Sequence, residues 1–380
     1  MKRSIIAAAI LTASASISLN ADTSWIIQPV ATSSKKMQVF TSRSAGKISR
    51  PLMLQYNNRI DDKSFRNLRC GNDKKFAYAG MNECGLVVAF SGTDKTKDRP
   101  AKTKEKQTLI SGSFIVGHLL TRCGSVKQAE ARLRPLARSG FIAEGMIVFL
   151  ADAKQAMIFE IAPRHYATTR LGLHYTVYAN RWKLPGMEDA SMRKPQEMRG
   201  SLQEEWAVKE AIFRERGGMN GRLSIPSSFA ISRLNAADIK VKGIGRGPST
   251  RGTVDAYLFE IDPEYPAVLS CVYASFGPPR HTVYLPIPLG AMDALPPEVV
   301  NAEWYGIGRE LNDKTPETTP VSEELAEFEK YLRQELDDVR HQARKLLKEN
   351  KTEEAKTLLR DMLRRQTRET AKFMKARKQL

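Results

Sequence analysis

The sequence has 380 residues, 42% hydrophobic and 27% charged; at roughly 100–200 residues per domain it holds two or three domains, or one large domain with an appendage. That composition excludes collagen-like, mucin-like and wholly disordered chains, and past the N-terminus no stretch reaches the ~20 apolar residues of a membrane-spanning helix, which argues against a multi-span helical membrane protein. The net charge of +18 favours solubility and anionic surroundings without specifying a partner, and the 16 basic and 12 acidic residues from Val321 onward carry only a small part of it.

Lys2 and Arg3 precede the apolar run Ile5 to Leu11, and small and polar residues follow. This is the three-part layout of a secretory signal peptide, so residues 1–21 are expected to be removed and the protein exported, periplasmic or secreted. Two cleavage points fit. Ala13-Ser14-Ala15 is the better small-x-small match, and Leu19-Asn20-Ala21 leaves a mature chain beginning at Asp22.

Next come short apolar or alternating runs at Trp25–Val30, Met37–Thr41, Pro51–Tyr56, Phe76–Ala79 and Leu86–Ser91, which predict strands. A charged loop spans Thr93 to Lys106. Leu109–Leu120 and Val126–Leu136 have a period nearer 3.6 and predict two helices, the second with Ser125 as N-cap. Met146–Leu150, Ala156–Ile161 and Tyr175–Ala179 predict strands again, the first two joined by a tight hairpin at Asp152-Ala153-Lys154. Leu202–Arg216 predicts a helix stopped by Gly217-Gly218. The glycine-rich stretch Gly243 to Pro248 lacks phosphate-loop spacing and reads as a loop. Val254–Ile261 and Ala267–Ala274 predict an antiparallel pair turning at Asp262-Pro263-Glu264. This order suits two antiparallel sheets packed together with helices outside, an α+β sandwich rather than a doubly wound parallel sheet.

The Thr- and Pro-rich residues 316–322 form a linker ahead of a changed composition. Leu325, Phe328, Leu332, Leu336, Val339, Ala343 and Leu346 follow helical spacing, Asn350 interrupts, and Ala355, Leu358, Met362 and Phe373 resume it. Residues 323–380 are therefore expected to be a helical hairpin packing onto the body, a partner or another copy, and separable from a body at 22–315. Its Lys and Arg lack the aromatic interleaving of a nucleic-acid surface.

The residues alone say little about chemistry. There is no GxSxG elbow and no HExxH, and the five histidines stand apart. Cys70, Cys84, Cys123 and Cys271 form no CxxC pair, so neither a metal site nor a cofactor is expected, while a disulfide such as Cys70–Cys84 stays open.

Several segments together resemble one family. Gly80-Met81-Asn82-Glu83-Cys84-Gly85-Leu86 is similar to the G-M-N-E-x-G-L hairpin of the N-terminal nucleophile (Ntn) hydrolases related to choloylglycine hydrolase, especially the acyl-CoA:6-aminopenicillanic acid acyltransferase branch. Asp22-Thr23-Ser24-Trp25-Ile26-Ile27 resembles the family's mature start C-T-T-W-V-I, Thr41-Ser42-Arg43-Ser44 resembles K-N-R-D, and Tyr178-Ala179-Asn180-Arg181-Trp182 resembles A-N-H-F. Ala151-Asp152-Ala153 and Phe159-Glu160-Ile161-Ala162 match in style.

The resemblance covers Asp22 to about Glu310 and implies a four-layer αββα sandwich. It also implies an N-terminal Cys whose thiolate attacks an amide carbonyl while its own amine takes the proton, an Arg that steadies it, and Asn donors for the oxyanion. Carried over residue by residue, this assigns Arg43, Asn82 and Asn180, with Arg233 as a later pocket Arg. Two positions depart from the pattern: Asp22 replaces the nucleophile and Ser44 replaces the Asp after the Arg. A carboxylate is a far weaker nucleophile toward an amide than a thiolate. The resemblance thus implies an exported amide (C–N) hydrolase or acyltransferase type whose ordinary nucleophile is missing, with a small acyl-amide as substrate or ligand. Two alternatives stand beside it, a catalytically inactive ligand- or partner-binding protein and an enzyme using Thr23 after unusual processing.

Overall fold

The computed structural model describes residues 22–44, 53–73, 76–93, 96–100, 109–172, 174–192, 198–218, 220–239 and 246–379. The expected signal peptide lies outside these residues, as does part of the glycine-rich stretch.

Among the described residues, thirteen strands form two antiparallel sheets. Strands β1 (Thr23–Ile27), β2 (Met37–Ser44), β10 (Tyr175–Ala179), β11 (Thr253–Ile261), β12 (Cys271–Ser275) and β13 (Tyr284–Pro288) form a six-stranded sheet in the order β10-β1-β2-β11-β12-β13. The other seven run in sequence order: β3 (Met53–Asn57), β4 (Asn67–Asp73), β5 (Phe76–Asn82), β6 (Val87–Gly92), β7 (Met146–Ala151), β8 (Ala156–Ile161) and β9 (Tyr166–Arg170). Their inner faces meet edge to face, Tyr78 against Tyr257 with ring centroids 5.8 Å apart and Phe149 against Tyr178 at 5.6 Å. Helices cover the outer faces. Strands with both faces covered need apolar side chains on both, which is why Met146–Leu150 reads as a continuous apolar run and not an alternation.

Over the seven-stranded sheet lie α1 (Gly112–Arg122) and α2 (Val126–Arg138), capped by Ser111 and Ser125, whose side chains accept the Phe114 and Gln128 N–H groups. The hairpin turn at Asp152 is fastened by its own carboxylate, which accepts the Lys154, Gln155 and Val126 N–H groups. Over the six-stranded sheet lie α3 (Arg199–Glu215) and α4 (Ile225–Ser232). Phe229 of α4 stacks on Tyr284 at 4.2 Å and meets Tyr273 edge-on. The architecture is the expected αββα sandwich, with β4, β9 and β13 additional to the expected strands. A short helix, α5 (Pro266–Leu269), replaces the start of the second strand expected after Pro263. Cys70, Cys84, Cys123 and Cys271 are all free thiols, so the Cys70–Cys84 pairing is not made.

Two further short helices, α6 (Pro297–Val300) and α7 (Tyr305–Lys314), lead to the tail, α8 (Glu323–Lys348) and α9 (Thr352–Gln379). Asn350 turns the chain between α8 and α9 with a left-handed φ of 62°. Phe328 stacks on Phe373 at 4.3 Å, joining the two helices. The hairpin is as expected, but it is not an appendage. Leu325, Leu332, Leu336, Leu359, Met362 and Leu363 are buried in the same core as the strands. Glu329 of α8 takes Arg233 in a two-pronged ion pair and also accepts the Tyr284 N–H at 2.7 Å. Arg340 binds Glu260 of β11 at 2.7 Å, and Arg344 binds Asp262 and Glu264. The tail is the outer layer over β11–β13, and a body folding without it is no longer expected.

Candidate active site

Asp22 precedes β1 and sits where β1, β2 and β10 end together. It is 3% exposed. One carboxylate oxygen accepts the Ser44 N–H at 3.0 Å, and the Gly92 N–H at the end of β6 also bonds it. Burial raises its pKa to about 7, against the opposing pull of these N–H groups and of the Arg43 charge; nearby Asp255 pushes the same way as burial.

Arg43, on β2, is 1% exposed and points between the sheets, its guanidinium carbon 4.8 Å from the centre of the Tyr78 ring. In register across β11 stands Asp255, whose Oδ1 is 3.5 Å from Arg43 Nε. The hydroxyls of Tyr78 and Tyr257 also bear on the Asp255 carboxylate and favour its charged form, although burial raises its pKa. The guanidinium nitrogens and both Asp255 oxygens make no well-aligned hydrogen bond among the described residues. The pair is held by charge and enclosure rather than by a fork.

Asn180 follows β10, and because Thr23 pairs with Ala179, the antiparallel register brings Asn180 opposite Asp22. Its φ of 50° is left-handed, a conformation Asn tolerates better than most residues. Its Oδ1 is buried and unpartnered among the described residues. The segment after it is pinned, since Glu160 accepts the Lys183 and Leu184 N–H groups and Glu205 holds Arg181 and Lys183. Three of the five expected residues, Asp22, Arg43 and Asn180, are thus together.

Asn82 and Arg233 are elsewhere. Asn82 Nδ2 donates to the carbonyls of Leu120 and Cys123 at the end of α1, and its Oδ1 accepts the Cys84 and Leu86 N–H groups. All its polar atoms brace the β5–β6 turn. Asp22 meets the opposite end of β6, so Asn82 is roughly 15–20 Å away at ~3.3 Å per strand residue. Arg233 closes α4 on the outer face of the six-stranded sheet and is consumed by Glu329 of α8. Neither is a donor to this site.

Thr23, the alternative nucleophile, alternates to the opposite face from Asp22. Its hydroxyl donates to Glu204 of α3, a carboxyl that burial lifts to about 7. Ser44 turns its hydroxyl to Thr253 at 3.2 Å and serves Asp22 only through its backbone.

The residues that sequence reasoning missed are Tyr78, Asp255, Tyr257, and Ser91 with Gly92. Ser91 alternates with Phe90, which packs beneath Gly112 of α1, so its hydroxyl, buried and unpartnered among the described residues, faces inward. The strand reading of Leu86–Ser91 was the signal that could have found Ser91. Nothing local marked Asp255. Among the described residues no group of three or more His, Cys, Asp or Glu is placed to hold a metal ion. A cleft lined by Asn235, Arg251, Arg280, His281 and Glu317 contains none of these residues.

No family model and no curated protein matches the sequence. Among solved structures, the penicillin V acylase of Agrobacterium tumefaciens aligns over 74% of this chain and 88% of its own at 14% identity and a TM-score of 0.46. Two variants of the conjugated bile acid hydrolase of Clostridium perfringens align over 67% of this chain and 89% of their own at 10% identity and a TM-score of 0.45.

Proposed function

We propose that this is an exported protein of the Ntn-hydrolase type, related to amide (C–N) hydrolases and acyltransferases, in which a carboxyl occupies the nucleophile position, so that amide hydrolysis is weak or absent. The observation that carries the reading is Asp22 itself. It lies beside Arg43 and opposite Asn180, at the strand end where the resemblance expects a cysteine, and its oxygens are already engaged by the Ser44 and Gly92 N–H groups.

A thiolate there would attack an amide carbonyl, the free amine of the same residue would take the proton, and Asn180 and Arg43 would face the developing negative charge. A carboxylate held by two N–H donors is a poor nucleophile, and the Thr23 hydroxyl is committed to Glu204 on the far side of the sheet. The same engaged carboxyl favours the second reading, an inactive protein that binds a small acyl-amide without turning it over. Export rests on the signal-peptide layout of residues 1–21.

The test is to purify the natural protein and Asp22→Cys, establish each mature N-terminus by intact mass, and assay N-acyl amino acids, bile-salt amides, β-lactam side-chain amides and thioesters. Turnover appearing only with Asp22→Cys supports the amide-hydrolase type. Robust turnover by the natural protein that survives Asp22→Ala overturns it.

A further inference from the structure

Two buried carboxyls, Asp22 and Asp255, share one buried cation, Arg43. The resemblance expects the acidic partner of this Arg one residue along the chain, where Ser44 stands and turns away to Thr253. The cross-strand register brings Asp255 to it from β11, 3.5 Å from Nε. Tyr78 and Tyr257 enclose that carboxylate, their rings edge to face at 5.8 Å, and Tyr78 also carries the guanidinium on its ring face.

We propose that Asp255 is the positioning residue of this site: it holds Arg43 in place and takes up its charge, so that the side chain at position 22 faces a cation that is already paired. The proposal concerns the site read above as a vacated nucleophile position, and its charge test stands whether or not that reading does.

The charged and titratable groups in play come from every element packed there. Asp22 feels Arg43 and Asp255, together with the Ser44 and Gly92 N–H groups. Asp255 feels Arg43, Tyr78 and Tyr257, and Cys70 of β4, Tyr284 of β13 and Tyr305 of α7 in turn feel Asp255. Arg43 is the one cation among them. With Asp255 ionised beside it, part of the pull of Arg43 on Asp22 is offset, adding to the effect of burial. Removing the Asp255 charge redirects that field, and Asp22 then ionises at lower pH.

The experiment measures the urea midpoint of the full chain at pH 5 and pH 8 for the natural protein and Asp22→Asn, then repeats the pair in Asp255→Asn, Asp255→Glu and Ser44→Ala backgrounds. The difference between the two members of each pair isolates residue 22. It is expected to fall measurably in Asp255→Asn, because burial still raises Asp22 there, and to keep its natural size in Asp255→Glu and Ser44→Ala. An undiminished difference in a cooperatively melting Asp255→Asn overturns the proposal.

If Asp255→Asn fails to melt cooperatively, the order of protonation in the natural protein decides. Carboxyl ¹³C signals, assigned with Asp22→Asn and Asp255→Glu, are expected to show Asp22 taking its proton at higher pH than Asp255, and the reverse order overturns the proposal. In the Asp22→Cys background Asp255→Asn is expected to lower kcat at least tenfold and change KM less than threefold. An Asp22→Cys protein silent on every amide refutes the functional reading while leaving the two charge measurements to decide this one.

Discussion

Replacing Asp22 by Asn removes one ionisation while keeping an oxygen for the Ser44 N–H. The folded protein holds the Asp22 proton up to about pH 7, against a value of 3.8 for the free side chain. A carboxyl whose folded pKa is raised stabilises the fold fully below the unfolded pKa, and that stability is lost as pH rises through the folded pKa. About three pH units at 1.36 kcal/mol each give roughly 4 kcal/mol lost between pH 4 and pH 7.5. The group is fully buried, so solvent screening takes little from this figure. Glu204, also raised to about 7, and Lys183, lowered to about 8, titrate in both proteins and cancel in the comparison. Urea denaturation followed by tryptophan fluorescence at pH 4.5, 6, 7 and 8 is expected to show the natural protein losing stability relative to Asp22→Asn, which becomes the more stable of the two by several kcal/mol at pH 8. Parallel stability curves for the two proteins would refute the reasoning, since Asp22 would then be solvated or ionised in the fold.

A chain ending at Thr315 is expected to be insoluble or to melt without cooperativity, because it strips the cover from Tyr284 and Glu260 and leaves Arg233 without Glu329; a cooperative calorimetric transition would contradict the layer assignment. Asn82→Ala should cost about 3 kcal/mol by orphaning two N–H groups and two carbonyls, while changing kcat/KM of Asp22→Cys less than threefold; a large kinetic loss at unchanged stability would return Asn82 to the site. Thr23→Val leaves the buried Glu204 carboxyl without its donor and is expected to lower stability by roughly 1–3 kcal/mol, again with Asp22→Cys turnover retained, which kinetics and denaturation together check.

Periodicity made most of the fold legible. The strand runs, the Ser125 cap, the Asp152 turn and the break at Asn350 are local events set by side chains within a few residues, and they fall where the sequence places them. The resemblance likewise pointed to Asp22, Arg43 and Asn180, which lie on neighbouring strands of one sheet. It misplaced Asn82 because a buried Asn bracing a turn and an Asn donating to a substrate look the same in a short motif. The helical stripe of the tail was readable too, but not what it would cover.

The sequence by itself determined most of the strands and the longer helices, several of their caps and turns, and that position 22 carries a carboxyl where the resemblance expects a thiol. The tertiary structure alone decided which way those side chains face and what meets them. Alternation along a strand says that Asp22 and Thr23 point to opposite faces, but only the stacking of the sheets and α3 says that one meets Arg43 and the other Glu204. Asp255 reaches Arg43, and Glu329 reaches Arg233, through pairings between segments far apart in the chain. Such pairings are fixed by strand register and layer packing, which no local pattern encodes.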